Sequence, residues 1–111
     1  MNKEPNIFVE VNLRFAAVHQ WSACPIPEVS YLRERHRHEF HIKAVKSVTH
    51  TDRDVEIIML KQSIQEFLKK EITFFMGETS CEMLAMQILK KFELHSCTVL
   101  EDGENGATVT Y

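Results

Sequence analysis

The sequence predicts an α+β domain in which two helices pack on one face of an antiparallel sheet, in the element order ββααββ. Three observations carry this prediction: strand-like alternation in two N-terminal stretches, helical spacing in two central stretches, and a hairpin at the end. A chain of 111 residues is long enough for one domain, residues 1–111, with a modest core that would profit from oligomerisation.

Composition and charge exclude several classes of function. Hydrophobic residues make up 44% and charged residues 26% of the chain, which is ordinary for a soluble globular protein. The formal net charge of −3 gives no electrostatic reason to expect nucleic acid or an anionic membrane as a partner. No apolar run approaches the roughly 18–20 residues of a membrane span. Three cysteines without CxxC spacing favour a reducing cytoplasm over a disulfide framework.

Two strands are predicted before the helices. Apolar residues occupy the odd positions between residues 7 and 17, and the same parity places His19 on the core face just past the strand end. Residues 20–34 contain Pro25 and Pro27, so we expect a loop without regular structure there. The second strand covers residues 36–48, and its apolar residues stand at even positions: Phe40, Ile42, Ala44 and Val48.

Two helices and a hairpin follow. Thr51 and Asp54 have the spacing of a helix start, and the capping box at residues 79–82 predicts a second start. Residues 97–101 and 107–111 form the arms of the hairpin, with a turn at residues 102–106. The two apolar helix faces consist of Ile57, Leu60, Ile64, Phe67 and Leu68, and of Cys81, Leu84, Ala85, Ile88, Leu89 and Phe92.

A metal site is predicted from the parity of three histidines. His36 and His38 open the second strand on its inward face, and His19 ends the first strand on its inward face. Antiparallel pairing would bring all three imidazoles to one end of the sheet. Three nitrogen ligands with an open fourth position are typical of a catalytic zinc site. The alternative is that the three are sheet-end histidines without a ligand; the other histidines, His41, His50 and His95, are interpreted as solvated.

The ordered motifs of the chain resemble those of the 6-pyruvoyl-tetrahydropterin synthase family, which includes the bacterial 6-carboxytetrahydropterin synthases of queuosine biosynthesis. The family has Phe-x-Ala-Ala-His at the end of its first strand and His-Gly-His-x-Tyr/Phe at the start of its second. It then has an aliphatic-Asp-Phe-x-x-Leu-Lys stretch, a Thr-Ser/Thr-Glu helix start and a Val-x-Glu-Thr strand end. The corresponding stretches here are residues 15–19, 36–40, 55–61, 80–85 and 99–102.

The resemblance implies a T-fold, three copies of which close a barrel in the family, usually as two trimers in a hexamer with sites between subunits. It implies zinc ligands at His19, His36 and His38, and a pterin-anchoring carboxylate at Glu101. It also implies ring contacts from Ser80 and Cys81, although Ser80 has an adequate role as a helix cap. From the residues alone, Glu101 shares the inward face of its strand and needs a partner, unless it lies in water at the strand end.

The chain departs from the family at its acid–base residues. In the family, zinc binds the vicinal hydroxyls of dihydroneopterin triphosphate, and a cysteine and an Asp-His pair move protons. Leu32 stands at the cysteine position, and residues 69–78 contain neither Asp nor His. Arg37 replaces the glycine between the paired histidines. The substitutes considered are Cys24 as the catalytic thiol, or a carboxylate base among Glu28, Glu34, Glu71 and Glu78.

Three functions are therefore weighed. The first is a zinc-dependent carbon–oxygen lyase acting on dihydroneopterin triphosphate, in a cytoplasmic homo-oligomer. The second is a T-fold protein that binds a metal and a pterin or purine without turnover. The third is a metal-free interaction module, which would require the histidines to be uncoordinated.

Overall fold

The computed structural model describes residues 3–111, which form one mixed sheet covered by helices on one face. The sheet has the strand order β3-β1-β2-β4-β5, in which only the β3–β1 pair is parallel. The elements are β1 (Ile7–His19), a 3₁₀ helix (Pro27–Arg33), β2 (His36–Val48), α1 (Ile57–Phe67), a π-helical turn (Leu68–Ile72), β3 (Phe75–Gly77), α2 (Cys81–Lys91), β4 (Ser96–Glu101) and β5 (Asn105–Thr110). This is an α+β fold, as predicted.

The β1–β2 pair forms the centre of the sheet and confirms the predicted parity. The two strands pair antiparallel over their whole length, from Ile7 opposite Val48 to His19 opposite His36. Odd residues of β1 and even residues of β2 face the helices because side chains alternate along a strand. The buried apolar members of these two faces are Val11, Leu13, Ala17, Phe40, Ile42, Ala44 and Val48, and His19 is the buried polar member.

The strand β3, which lies between α1 and α2 in the sequence, was not predicted. The predicted ββααββ order and antiparallel sheet therefore lack this short strand, which pairs parallel with β1. Three residues are too few to show an alternating pattern, and the pairing with β1 is a contact between distant parts of the chain. The Val18 N–H donates to the Phe74 carbonyl at 2.8 Å, and the Gln20 N–H donates to the Gly77 carbonyl at 2.9 Å. These bonds fix the end of β1, where His19 lies.

The prediction of a loop without regular structure at residues 20–34 is wrong for Pro27–Arg33, which is 3₁₀-helical with a kink at Val29. Pro27 stands at the first helical position, where the fixed φ of proline suits a helix and its missing N–H costs no hydrogen bond. Proline therefore starts this helix instead of preventing one.

The predicted start of the first helix at Thr51 is also wrong, because α1 begins at Ile57. The Asp54 carboxylate accepts hydrogen bonds from the backbone N–H and the hydroxyl of Thr49, and these bonds hold a turn. Glu56 supplies the cap instead, since its carboxylate accepts from the N–H groups of Ile58 and Met59.

The second helix is confirmed and has the more deeply buried face. Ser80 caps it by accepting a hydrogen bond from the Met83 N–H at 3.1 Å. Phe92, predicted on the same face, lies just after the helix and is partly buried against the core. The buried residues of α2 are Cys81, Leu84, Ala85, Ile88 and Leu89.

The closing hairpin is confirmed with a shorter turn than predicted, because β5 already begins at Asn105. Asp102 and Gly103 in the turn have positive φ values of 54° and 74°. No helix among residues 3–111 is long and apolar enough to cross a membrane.

Candidate metal centre

The three predicted histidines lie together at one end of the sheet. His19 and His36 face each other across the β1–β2 pair, and His38 stands opposite Ala17 on the same face. The ring centroid of His19 lies 4.5 Å from that of His36 and 5.4 Å from that of His38. The centroids of His36 and His38 are 5.1 Å apart. Strand parity and antiparallel register are sufficient to produce this convergence.

Each of the three rings uses its Nδ1 atom in a hydrogen bond away from the other rings. The acceptors are the Thr79 carbonyl for His19 at 2.8 Å and the Glu34 carbonyl for His36 at 2.8 Å. For His38 the acceptor is the Asp102 carboxylate at 2.7 Å. A carbonyl or carboxylate oxygen only accepts, so every Nδ1 carries the proton and every Nε2 of a neutral ring presents a lone pair.

Glu101 joins the histidines from β4. Its Oε2 atom lies 3.1 Å from His19 Nε2 and 3.7 Å from His38 Nε2. One potential ligand atom from each of the four residues lies within 4.8 Å of every other. We call His19, His36, His38 and Glu101 the histidine cluster. The sequence predicted Glu101 as an inward residue but not its place beside the histidines, which depends on the pairing of Glu101 with Phe40.

The contact between His19 and Glu101 points to a cation. His19 is 7% exposed, and within residues 3–111 its Nε2 is a buried polar atom without a hydrogen-bond partner. A lone pair facing a carboxylate oxygen at 3.1 Å is repulsive unless a second proton or a metal ion lies between them. Three imidazole nitrogens and one carboxylate are a donor set suited to a divalent transition metal, so the residues present fit such an ion.

Asp102 is a residue of the site that the sequence reasoning missed. The sequence placed it in the hairpin turn and at the end of the motif at residues 99–102, with no role in the site. Its carboxylate contacts His38 and also accepts from the Glu39 backbone N–H at 3.0 Å. The Glu39 N–H, and then the His38 ring, hold the pKa of Asp102 below its ordinary value. No local pattern marks this role, because the contact joins positions 64 residues apart.

A cleft of about 480 Å³ opens beside the histidine cluster, and we call it the histidine cleft. Its wall combines apolar groups with the polar groups of the α2 start. The lining residues are His19, Gln20, Trp21, Leu32, His36, Glu78, Thr79, Ser80, Cys81, Glu82, Met83, Glu101, Asn105 and Gly106. The predicted ring-contacting residues Ser80 and Cys81 are thus in the same cleft as Glu101 and Leu32.

Neither Cys81 nor Cys24 is placed to act as a general base at this site. Burial, followed by the charges of Glu101 and Glu82, raises the pKa of the Cys81 thiol to about 12. The predicted catalytic residue Cys24 is also buried, and its Sγ lies 3.8 Å from the carbonyls of Ile26 and Val29. Cys24 is not among the residues brought together in the histidine cluster.

The predicted substitute carboxylates are distributed around the site. Glu78 lines the histidine cleft, and hydrogen bonds from the backbone N–H and then the hydroxyl of Ser22 lower its pKa. Glu34 is exposed and contributes its backbone carbonyl to His36. Glu28 and Glu71 are exposed on the 3₁₀ helix and the π-helical turn, and Arg37 is exposed on β2.

The other histidines lie outside the histidine cluster, but their prediction as solvated holds only for His50, which is exposed. His41 is half-buried on the opposite face of β2, with its Nε2 atom 3.1 Å from the Glu39 carboxylate. His95 is half-buried and its ring centroid lies 4.6 Å from that of Phe8.

Sequence comparison finds no relative: no protein-family model matches the chain, and no curated protein matches it. Structural comparison does find similar structures. The structure of Caenorhabditis elegans 6-pyruvoyl tetrahydropterin synthase matches with a TM-score of 0.72 and 16% sequence identity, over 100% of this chain and 99% of that chain. At this identity the likeness establishes the fold, and it confirms the T-fold prediction. The chain has the α+β fold of 6-pyruvoyl tetrahydropterin synthase.

Proposed function

We propose that this chain is a divergent member of the 6-pyruvoyl-tetrahydropterin synthase family, a zinc-dependent carbon–oxygen lyase acting on dihydroneopterin triphosphate. The observation that carries the proposal is the convergence of His19, His36, His38 and Glu101, each of which offers one potential ligand atom within 4.8 Å of the others. The full-length likeness to a 6-pyruvoyl tetrahydropterin synthase supports it, because it puts these residues on the fold in which the family uses its histidine motifs.

His19, His36 and His38 are the proposed zinc ligands, with Glu101 beside them. Imidazole nitrogen is a preferred donor for zinc, whereas magnesium and calcium prefer oxygen donors. Zinc in such a site acts as a Lewis acid and lowers the pKa of a bound hydroxyl or water. The protein's own contribution is to hold all three rings with Nε2 directed inward, through the hydrogen bonds at Nδ1.

The histidine cleft is the proposed site for the pterin ring. Trp21 and Leu32 offer apolar surface to a flat heterocycle, while Ser80 and Cys81 lie at the α2 start. Both contacts of Glu101 with the histidines use Oε2, which leaves Oε1 to accept hydrogen bonds from the amino and N–H groups of the ring. Glu101 therefore serves both the metal and the pterin in this proposal.

A second function, binding of a pterin or purine without turnover, is favoured because the site lacks suitable acid–base residues. Leu32 carries no titratable group, and residues 69–78 contain neither Asp nor His. The raised pKa of Cys81 keeps its thiol protonated, and the lowered pKa of Glu78 makes its carboxylate a weak base. Cys24 remains the predicted catalytic thiol, and would have to leave its buried position in the loop to act.

A homo-oligomer, either trimer or hexamer, is proposed from the edges of the sheet. Within the described chain, residues 7–17 of β1 pair with β2 alone, and β5 pairs with β4 alone. Such edges carry unpaired backbone donors and acceptors that can pair with another copy. A cytoplasmic location is proposed because the three cysteines are buried and form no disulfide.

The test is to load purified protein with Zn²⁺, incubate it with dihydroneopterin triphosphate, and analyse the pterins by mass spectrometry. Protein stripped with a chelator is the matched control. New pterin products with the zinc form alone are the expected result. Unchanged substrate that stays on the zinc-loaded protein would replace the lyase with the binding function, and absence of stoichiometric metal in the wild type would overturn both.

A further inference from the structure

The three histidines of the cluster differ in what holds their outer nitrogen. His19 and His36 donate Nδ1–H to backbone carbonyls, those of Thr79 and Glu34. His38 alone donates to a side chain, the Asp102 carboxylate, at 2.7 Å. Any residue at positions 34 and 79 supplies a backbone carbonyl, whereas the contact with His38 requires the side chain of Asp102.

Asp102 is itself held against β2 by two further hydrogen bonds. Its Oδ1 atom accepts from the Glu39 N–H at 3.0 Å, and its own N–H donates to the Glu39 carbonyl at 2.8 Å. Oδ2 is thereby left to face His38 Nδ1. The β4–β5 turn and the strand that carries His38 are thus joined at three points, and the carboxylate has little freedom to turn away.

We infer that Asp102 is a positioning residue for the metal site, which fixes His38 in the tautomer with a proton on Nδ1 and a lone pair on Nε2. A ring that hydrogen-bonds to a carboxylate through one nitrogen is a more basic and better oriented metal ligand through the other. The hydrogen bonds of the Asp102 carboxylate go to the outer nitrogen of His38 and to the backbone of Glu39. Asp102 is therefore a neighbour of a proposed metal ligand and not a ligand itself. The inference rests on the proposed metal site and extends it to the hairpin turn.

The discriminating variant is Asp102→Asn. Asparagine tolerates the positive φ of 54° at this position and has nearly the same shape, so the turn is preserved. Aspartate accepts from His38 Nδ1–H and from the Glu39 N–H with two different oxygens, and asparagine has an NH2 donor in place of one of them. If the NH2 faces His38, the ring loses its acceptor or adopts the other tautomer with a proton on Nε2. If the NH2 faces the Glu39 N–H, His38 keeps a neutral acceptor but loses the negative charge that makes its Nε2 more basic.

The experiment measures Zn²⁺ affinity of the apo protein by competition with a chromophoric chelator, together with the visible spectrum of the Co²⁺ form and thermal unfolding without metal. We expect Asp102→Asn to bind Zn²⁺ about 10–100-fold more weakly and to show an altered Co²⁺ spectrum. Unfolding without metal should change only slightly, because the backbone hydrogen bond from the Asp102 N–H to the Glu39 carbonyl is kept. Glu104→Gln, which removes an exposed carboxylate from the same turn, is the matched control and should bind as the wild type does.

Equal Zn²⁺ affinity of the wild type and Asp102→Asn would overturn this inference and leave the proposed metal site intact. A loss of thermal stability without a change in affinity would assign Asp102 to the turn alone, and would overturn it equally. If the wild type binds no Zn²⁺, the proposed function fails and this inference fails with it.

Discussion

His38 and His41 stand three residues apart on β2, and each has a carboxylate within hydrogen-bond distance. On the inward face, His38 meets Asp102 through Nδ1 and turns Nε2 toward His19 and His36. On the outward face, His41 meets Glu39 through Nε2 and lies outside the histidine cluster. Both histidines thus have a carboxylate partner, but only His38 belongs to the histidine cluster.

The difference shows that the face of the strand decides which histidine joins the proposed metal site. An inward side chain is surrounded by what the sheet and helices bring to that face, here residues from β1 and β4. An outward side chain meets neighbours on its own and adjacent strands, such as Arg14 beside Glu39, and more of the solvent. The contrast between the inward and the outward face can be tested by substitution on each.

The largest effect is expected from histidine substitutions and metal binding. His38→Ala removes one of three nitrogen donors, and we expect stoichiometric Zn²⁺ to be lost after gel filtration. His41→Ala changes the same residue type on the same strand and should retain Zn²⁺. Metal analysis of both purified variants checks this. Retention of Zn²⁺ by His38→Ala, or its loss from His41→Ala alone, would contradict the assignment.

The next effect concerns stability on the two faces of the sheet. Phe40 is the next inward residue of β2 after His38 and is fully buried. The outward Phe8 of β1 is 41% exposed. We expect Phe40→Ala to lower the free energy of unfolding by about 3–5 kcal/mol, because it leaves a cavity in the core. Phe8→Ala should cost at most about 1.5 kcal/mol, mostly from its contact with His95.

Urea denaturation of the metal-free proteins measures both changes. Phe40→Leu, which keeps most of the buried volume, provides a readable value where the alanine variant fails to fold, and should cost about 1 kcal/mol. Comparable losses for Phe8→Ala and Phe40→Ala would show that the outward face is covered in solution, by another copy of the chain or another partner.

The smallest effect is expected from the outward ion pair between Arg14 and Glu39. The two charged groups are 3.7 Å apart and both side chains are largely exposed, so water screens the attraction. Arg14→Ala should change the free energy of unfolding by less than about 1 kcal/mol, and less still in high salt. Urea denaturation at two salt concentrations tests this; a loss well above that value, independent of salt, would mean that Arg14 is buried in an assembly.

The elements predicted from sequence are those whose own residues carry a repeating pattern. β1 and β2 alternate over long stretches, and the α2 face recurs at helical spacing after a capping serine. The start of α1 was misplaced because Thr51 and Asp54 match a capping pattern while Asp54 bonds back to Thr49. Pro27 was interpreted as a helix breaker, although at the first helical position it favours a helix.

Residue parity on β1 and β2 determined, from the sequence alone, that His19, His36 and His38 would share a face and meet at one end of the sheet. Only the tertiary structure decided that Glu101 lies beside them, that Asp102 and two backbone carbonyls hold their outer nitrogens, and that β3 fixes the end of β1. The physical reason is that parity follows from local strand geometry, whereas the register of β4 against β2 and the path of β3 are set by packing between distant segments.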